Sequence, residues 1–182
     1  QLPSYDIYIE DFPEFPYDPQ RAKELLAQSS YDGETVTYRL PLNYYLNSLE
    51  AAQAIQQMWE AVGFNVSLEP RENWTLTRAE GTNVRPWSNT HRMPDPMGSF
   101  VPQWGRLSWV QNDRDDPARS WDAPERFNEL QDTIATATDP AVRREAYRDA
   151  LELWVDEAPG TMLYNPLETY ALRDEINWKP YS

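Results

Sequence analysis

The chain contains no cysteine. That removes disulfides and thiolate metal sites without deciding the compartment. It has a single histidine, His91, so a multi-histidine metal centre is excluded. Asp95 is the only carboxylate near that histidine, and Arg92 beside it repels a cation, so no metal site is expected there. Six glycines are spread over 182 residues, and none forms a phosphate-cradling loop. There is no nucleophile elbow and no HExxH helix, so no catalytic signature stands out. Sixteen basic residues face thirty acidic ones, for a net charge of −14. Nucleic-acid binding needs Lys and Arg to neutralise phosphates, so that class is disfavoured, as is a basic patch docking on anionic lipid. No apolar run approaches the roughly 18 residues that cross a bilayer. The sequence opens at Gln1 without a methionine, a basic n-region or a lipidated cysteine, and reads as processed or cut from something longer.

What is present suffices for one domain. The chain is 40% apolar and 13% aromatic, and at this length it buries about 70% of its unfolded surface. Residues 1–16 alternate aromatics, acids and prolines without helical period and read as an extended lead-in. Asp18-Pro19 is a helix start, with Ala22, Leu25 and Leu26 on one face. Thr35–Leu42 is β-rich. Asn47 and Glu50 have the spacing of a capping box. Leu49, Ala52, Ile55, Met58, Trp59 and Val62 then follow at helical spacing, and Gly63 supplies a stop. Phe64, Val66 and Leu68 alternate with polar residues as a half-buried strand does. Residues 17–70 are therefore a helix followed by a β-α-β unit with parallel strands.

Residues 71–121 are irregular, with a short strand expected near Asn83–Trp87. In residues 122–182 the helical period returns with Phe127, Leu130, Ile134 and Ala137. A second Asp-Pro start at Asp139-Pro140 opens a helix with Val142, Ala146, Ala150, Leu153 and Trp154 facing inward. Thr161–Tyr164 and Glu168–Leu172 read as short closing strands. The fold class is α/β: a small mixed sheet flanked by helices, with a long irregular excursion.

The stretch Arg85–Pro96 gathers the histidine, two arginines and a tryptophan where a strand gives way to a loop. Loops held on a rigid scaffold commonly carry binding residues. Trp87, Trp104, Trp109 and Trp121 all lie in the excursion and suit either a ligand wall or the shielding of a loop-rich half. Asn112–Asp116 lacks the glycine and distal glutamate of a calcium loop and reads as a solvated acidic loop. Carboxylate pairs such as Glu69 with Glu72, or Asp95 with Asp113, leave a glycosidase arguable until their separation is known.

Tyr17-Asp18-Pro19-Gln20-Arg21-Ala22-Lys23-Glu24-Leu25-Leu26-Ala27 resembles the "YDPxxAKxLL" helix of family 5 extracellular solute-binding proteins, the binding components of ABC importers. The similarity runs in order through Ala61-Val62-Gly63, Phe64–Leu68, Phe127–Leu130, Asp139-Pro140, Arg143–Tyr147, Glu157-Ala158-Pro159, Leu163-Tyr164 and Tyr170. The resemblance implies one lobe, 1–182, of a class II periplasmic-binding-protein-like fold, the other lobe lying outside this chain. It further implies a periplasmic protein without cofactor that captures a small-molecule solute and delivers it to an ABC transporter permease. The family's "W-x-x-D-x-x-(D/E)-P" pattern matches at Trp87 and at Asp95-Pro96. Peptide binders of the family pair the ligand's α-amine with the aspartate three residues after the tryptophan. Thr90 occupies that position here, and the span to the proline is two residues longer. The resemblance thus places Trp87, Asn89, Thr90, His91, Arg92 and Asp95 at the ligand. The exchange of acid for hydroxyl, beside His91 and Arg92, favours an anionic or polyhydroxyl solute. A carbohydrate-active enzyme or carbohydrate-binding module, and a pure protein-interaction domain, are the alternative classes.

Overall fold

The computed structural model describes residues 1–13, 16–114, 117, 120–165 and 169–179. Asp18 starts the first helix by accepting from the Arg21 N–H at 2.8 Å, and Pro19 occupies N1 of α1, Pro19–Gln28. β1 (Thr35–Pro41), α2 (Ser48–Val62) and β2 (Asn65–Arg71) form the expected β-α-β unit. The strands are parallel and pair from Thr35 opposite Asn65 to Pro41 opposite Arg71. Gly63 ends α2 at φ 119°, its N–H directed to the Trp59 and Glu60 carbonyls. Tyr38, Leu40, Ala52 and Val66 are the buried centre of this sheet half, with Trp59 and Phe64 packed against them.

The strand expected at Asn83–Trp87 shrinks to one parallel bridge, Val84 to Tyr38. Val84 donates to the Thr37 carbonyl and accepts from the Arg39 N–H. Pro86, two residues on, has no N–H with which to continue the ladder. The sheet is thus parallel in its described pairings rather than mixed. Arg39 staples the turn that precedes the bridge. Its Nε donates to Glu69 at 2.8 Å, and its Nη1 donates to the Ala79 and Glu80 carbonyls and to Thr82 Oγ1. Arg71 also meets Glu69, so this carboxylate sits between two guanidiniums.

The second half is helical. α3 (Trp74–Thr77), a short 3₁₀ turn at Pro96–Gly98 and α4 (Phe100–Trp104) lead to α5 (Glu125–Thr136) and α6 (Pro140–Glu157). Asp139 caps α6 through the Ala141 N–H. Phe127, Ile134, Tyr147 and Ala150 have no accessible surface and form the centre of a second core. Residues 1–16 are more than a lead-in: Tyr5, Ile7 and Ile9 are buried in that core, with Asp6 and Glu10 outward. Strand-like alternation without a ladder accounts for it, since the inward set lies on the helices instead of on a sheet.

Several local expectations change. Asn47 has a left-handed φ of 54° and makes no side-chain cap bond; that conformation turns its amide away from the first helical N–H groups, so there is no capping box. Met58 and Val142 are exposed, each lying at the edge of its helix's apolar stripe, whereas Tyr147 and Leu151 complete the inward face of α6. In α1, Leu25 is exposed, and Ala22 and Leu26 are only half-buried. Thr161–Tyr164 and Thr169–Leu172 are not strands: no strand lies beside them among the described residues to complete a ladder. Glu168 lies outside the described residues.

Candidate functional site

Parallel strands all end on one side. The exits of β1, β2 and the Val84 bridge therefore gather there, the position where open α/β sheets commonly receive ligands. Tyr44 and Tyr45 come from the β1 exit, Trp74 from the β2 exit, and Arg85 and Trp87 from the bridge exit. Their rings meet nearly edge to face. Centroid separations are 4.7 Å for Tyr44–Tyr45, 5.1 Å for Tyr44–Trp74 and 5.9 Å for Trp74–Trp87. Each such pair contributes about 0.5–1.5 kcal/mol beyond its buried area, and two hydrogen bonds fix the rings. Trp87 Nε1 donates to Gln103 Oε1 at 2.9 Å, and the Tyr45 and Ser88 hydroxyls share a bond of 2.8 Å. Arg85 lies 4.5 Å over the Trp87 ring centroid. Even so, Tyr44 remains 58% exposed and Trp87 44% exposed. This is a rigid aromatic wall turned to solvent.

The other end of the same loop faces the helical core. His91 Nδ1 meets the Tyr5 hydroxyl at 2.6 Å, and that hydroxyl also bonds Ser99 Oγ at 2.8 Å. Burial holds the His91 pKa below its ordinary 6.5, which favours a neutral ring accepting from Tyr5. Asp95 is gripped by Arg143, whose Nη2 lies 3.0 and 2.8 Å from the two carboxylate oxygens. Asp95 Oδ1 also accepts from the Met97 N–H, and Arg143 Nε donates to the Ile134 carbonyl at the end of α5. The Arg92 N–H reaches the Gly98 carbonyl and closes the turn. A Cβ at Gly98 would stand 2.6 Å from the Met93 backbone, so the turn closes only around glycine.

The six residues named from the sequence therefore split. Trp87 joins the aromatic wall. Thr90 and Arg92 project into solvent beyond it, and no ion pair or side-chain hydrogen bond among the described residues engages the Arg92 guanidinium. Asn89 is half-buried, and its Oδ1 is enclosed without a partner. His91 and Asp95 are turned inward and hold the loop to the helical half. Sequence reasoning missed Tyr44, Tyr45 and Trp74; large rings directly after two strand ends were the signal. The remaining excursion tryptophans divide likewise. Trp104 and Trp121 pack in the helical core, and Trp109 receives Arg78 at 5.4 Å from its centroid.

Among the described residues no group of three or more His, Cys, Asp or Glu could hold a metal ion, and no helix is long and apolar enough to cross a membrane. Of the Asn112–Asp116 run, Asp115 and Asp116 lie outside the described residues. Two concavities lie away from the wall, about 640 Å³ beside Leu107–Ser120 and about 490 Å³ between α1 and α2. The wall itself is an open face.

The architecture is that of a class II periplasmic-binding-protein lobe. The AppA protein of Clostridium difficile superposes with a TM-score of 0.69 at 15% identity, over 87% of this chain and 32% of that one. The ABC transporter substrate-binding protein CtaP of Listeria monocytogenes superposes at 0.65, with 18% identity, over 86% and 31%. The oligopeptide-binding protein AppA of Bacillus subtilis, solved with a nonapeptide, superposes at 0.63, with 14% identity, over 87% and 34%. The chain thus spans about a third of the length of these structures. Comparison with the curated proteins gives no match. The model of the bacterial extracellular solute-binding proteins, family 5, matches residues 1–109, and the chain belongs to that family. It is a family of solute-binding proteins, not of enzymes.

Proposed function

We propose that this chain is the second lobe of a periplasmic solute receptor that hands its ligand to an ABC transporter permease. The observation that carries the reading is the solvent-facing ring wall, Tyr44, Tyr45, Trp74 and Trp87, at the strand exits of a lobe spanning a third of its structural neighbours. Exposed aromatic surface of this kind marks a contact surface. An opposing first lobe would close over it by a hinge motion, burying a small solute between the two. Trp87, Asn89, Thr90 and Arg92 are assigned to this lobe's side of the ligand. His91 and Asp95 hold the loop from behind. Thr90, standing where peptide binders of the family carry an acid, leaves an α-amine without its counter-charge.

A carbohydrate-active enzyme is the weaker reading. Glu69 is neutralised by Arg39 and Arg71, and Asp95 by Arg143. Each arguable acid pair thus has one member already engaged by arginine. The test is a thermal-shift measurement on the full-length protein containing this lobe, against peptides, opines, sugars, sugar acids, phenolic acids and metal chelates. Binding confined to the folded state raises Tm with ligand concentration. Absence of any shift across the panel rejects the receptor role.

A further inference from the structure

We propose that His91 is an acid-sensitive latch: protonating its ring releases the loop that carries the candidate site from the helical half. The latch stands on the fold, while its consequence, a weaker hold on solute in acid, rests on the solute-receptor reading. The loop hangs between two anchors. At the sheet end Trp87 is fixed to Gln103 at 2.9 Å and Ser88 to the Tyr45 hydroxyl at 2.8 Å. At the other end His91 is tied to Tyr5 at 2.6 Å. Asn89 and Thr90, two of the residues assigned to the ligand, run between the anchors, so their placement depends on both.

The second anchor depends on the charge of one ring. Tyr5 and Ser99 are buried, and their hydroxyls share a bond of 2.8 Å. A neutral His91 accepts the Tyr5 proton at Nδ1, and the Tyr5 oxygen in turn accepts from Ser99. A protonated ring can only donate at Nδ1. Tyr5 must then reverse and donate to Ser99, whose own proton loses its acceptor. Ser99 Oγ makes no other bond among the described residues, and a buried donor left without an acceptor is costly.

No neighbouring charge offsets that cost. From the N-terminal strip come the Tyr5 hydroxyl and the Gln1 amine, which repels a proton on the ring. Within the loop Arg92 is the next residue, and Asp95 is closed onto Arg143 of α6. α6 also brings Tyr147, whose ring centroid lies 6.3 Å from that of Tyr5. Burial pushes both tyrosine hydroxyls up from their ordinary pKa, so neither supplies an anion. Ser99, entering α4, is neutral. An imidazolium at this position therefore lacks a carboxylate partner among the described residues. Burial is the larger cause against it and the Gln1 amine the smaller, so the effect persists where a longer chain turns that amine into a peptide bond. Acid thus favours the open loop, in which the ring meets water.

Amide hydrogen exchange read by mass spectrometry tests the latch on the full-length protein containing this lobe, without ligand, at about pH 7.5 and 5.5. Each rate is divided by the intrinsic rate at its pH. Opening of residues 89–95 should increase about three- to elevenfold in acid, about elevenfold being the ceiling set by an ordinary histidine one unit below its pKa. The strip 5–9 should open with the loop, and α2 should change by less than about twofold. His91→Asn should bring the loop's ratio to about one. Tyr5→Phe keeps the buried ring and removes the bond, and should open the loop about threefold or more already at about pH 7.5. Equal corrected rates at the two pH values overturn the latch. So do a ratio that survives in His91→Asn, a loop indifferent to Tyr5→Phe, and an α2 response as large as the loop's. Because the exchange is read without ligand, failure of the thermal-shift panel removes the receptor role alone, and flat exchange removes the latch alone.

Discussion

At the residue scale, the conspicuous His91 is tied into the fold through one ring nitrogen. It is half-buried with Nδ1 on the Tyr5 hydroxyl, and burial depresses its pKa below the ordinary 6.5. The unfolded chain therefore binds a proton more readily than the folded one, so stability rises with pH through this region. It is lost as pH falls below about 6.5. Urea midpoints at about pH 7.5 and 5.5 should differ in that direction, and His91→Asn should shrink the difference. An unchanged difference in the variant would mean that other groups carry the pH response. The loop stood out in the sequence because it holds the single histidine beside two arginines and a tryptophan. Which side chains face out was not legible there, since Asp95 finds Arg143 across 48 residues and nothing local foretells that pairing.

Among the elements, signals contained within a few residues were readable and those depending on distant partners were not. Asp18-Pro19 and Asp139-Pro140 start helices because the cap and its N–H target lie within three residues. The parallel β1–β2 pairing followed from the length of the crossover. The closing strands failed because a strand exists only with a neighbour, and Asn47 failed as a cap because in its left-handed backbone conformation its side chain makes no cap bond. The N-terminal strip was read as a lead-in although Tyr5, Ile7 and Ile9 alternate visibly; its burial depends on α5 and α6, more than a hundred residues away. Ile9 has no accessible surface. Ile9→Ala should therefore cost about 2–4 kcal/mol, the combined loss of transfer energy and filled volume, measured by chemical denaturation. A cost below about 1 kcal/mol would show that the strip is not part of the cooperative core.

For the molecule as a whole, two apolar cores are spanned by one loop. Tyr38, Leu40, Ala52 and Val66 centre the sheet half, while Phe127, Ile134 and Tyr147 centre the helical half. The loop from Arg85 to Gly98 carries Trp87 at its sheet end and the Asp95–Arg143 clamp at its helical end. Removing the guanidinium leaves a half-buried carboxylate with only the Met97 N–H. Arg143→Met should then lower stability by about 1–3 kcal/mol. Backbone amide exchange in residues 91–98 should accelerate more than in α2, because the clamp holds the loop and not the sheet. Uniform acceleration across both halves would instead mark Arg143 as general scaffolding.

The same asymmetry bears on how such a receptor can change over time. Substitutions at Asn89, Thr90 and Arg92 alter side chains that make no hydrogen bond among the described residues, so selection can try new side chains there at little risk to folding. Changes at Asp95 or Gly98 break the turn before any new ligand is gained. Drift in what the protein recognises is thereby channelled to the outer half of one loop, and a library aimed at new specificity would start with Asn89, Thr90 and Arg92 while leaving Asp95, Gly98 and Arg143 untouched.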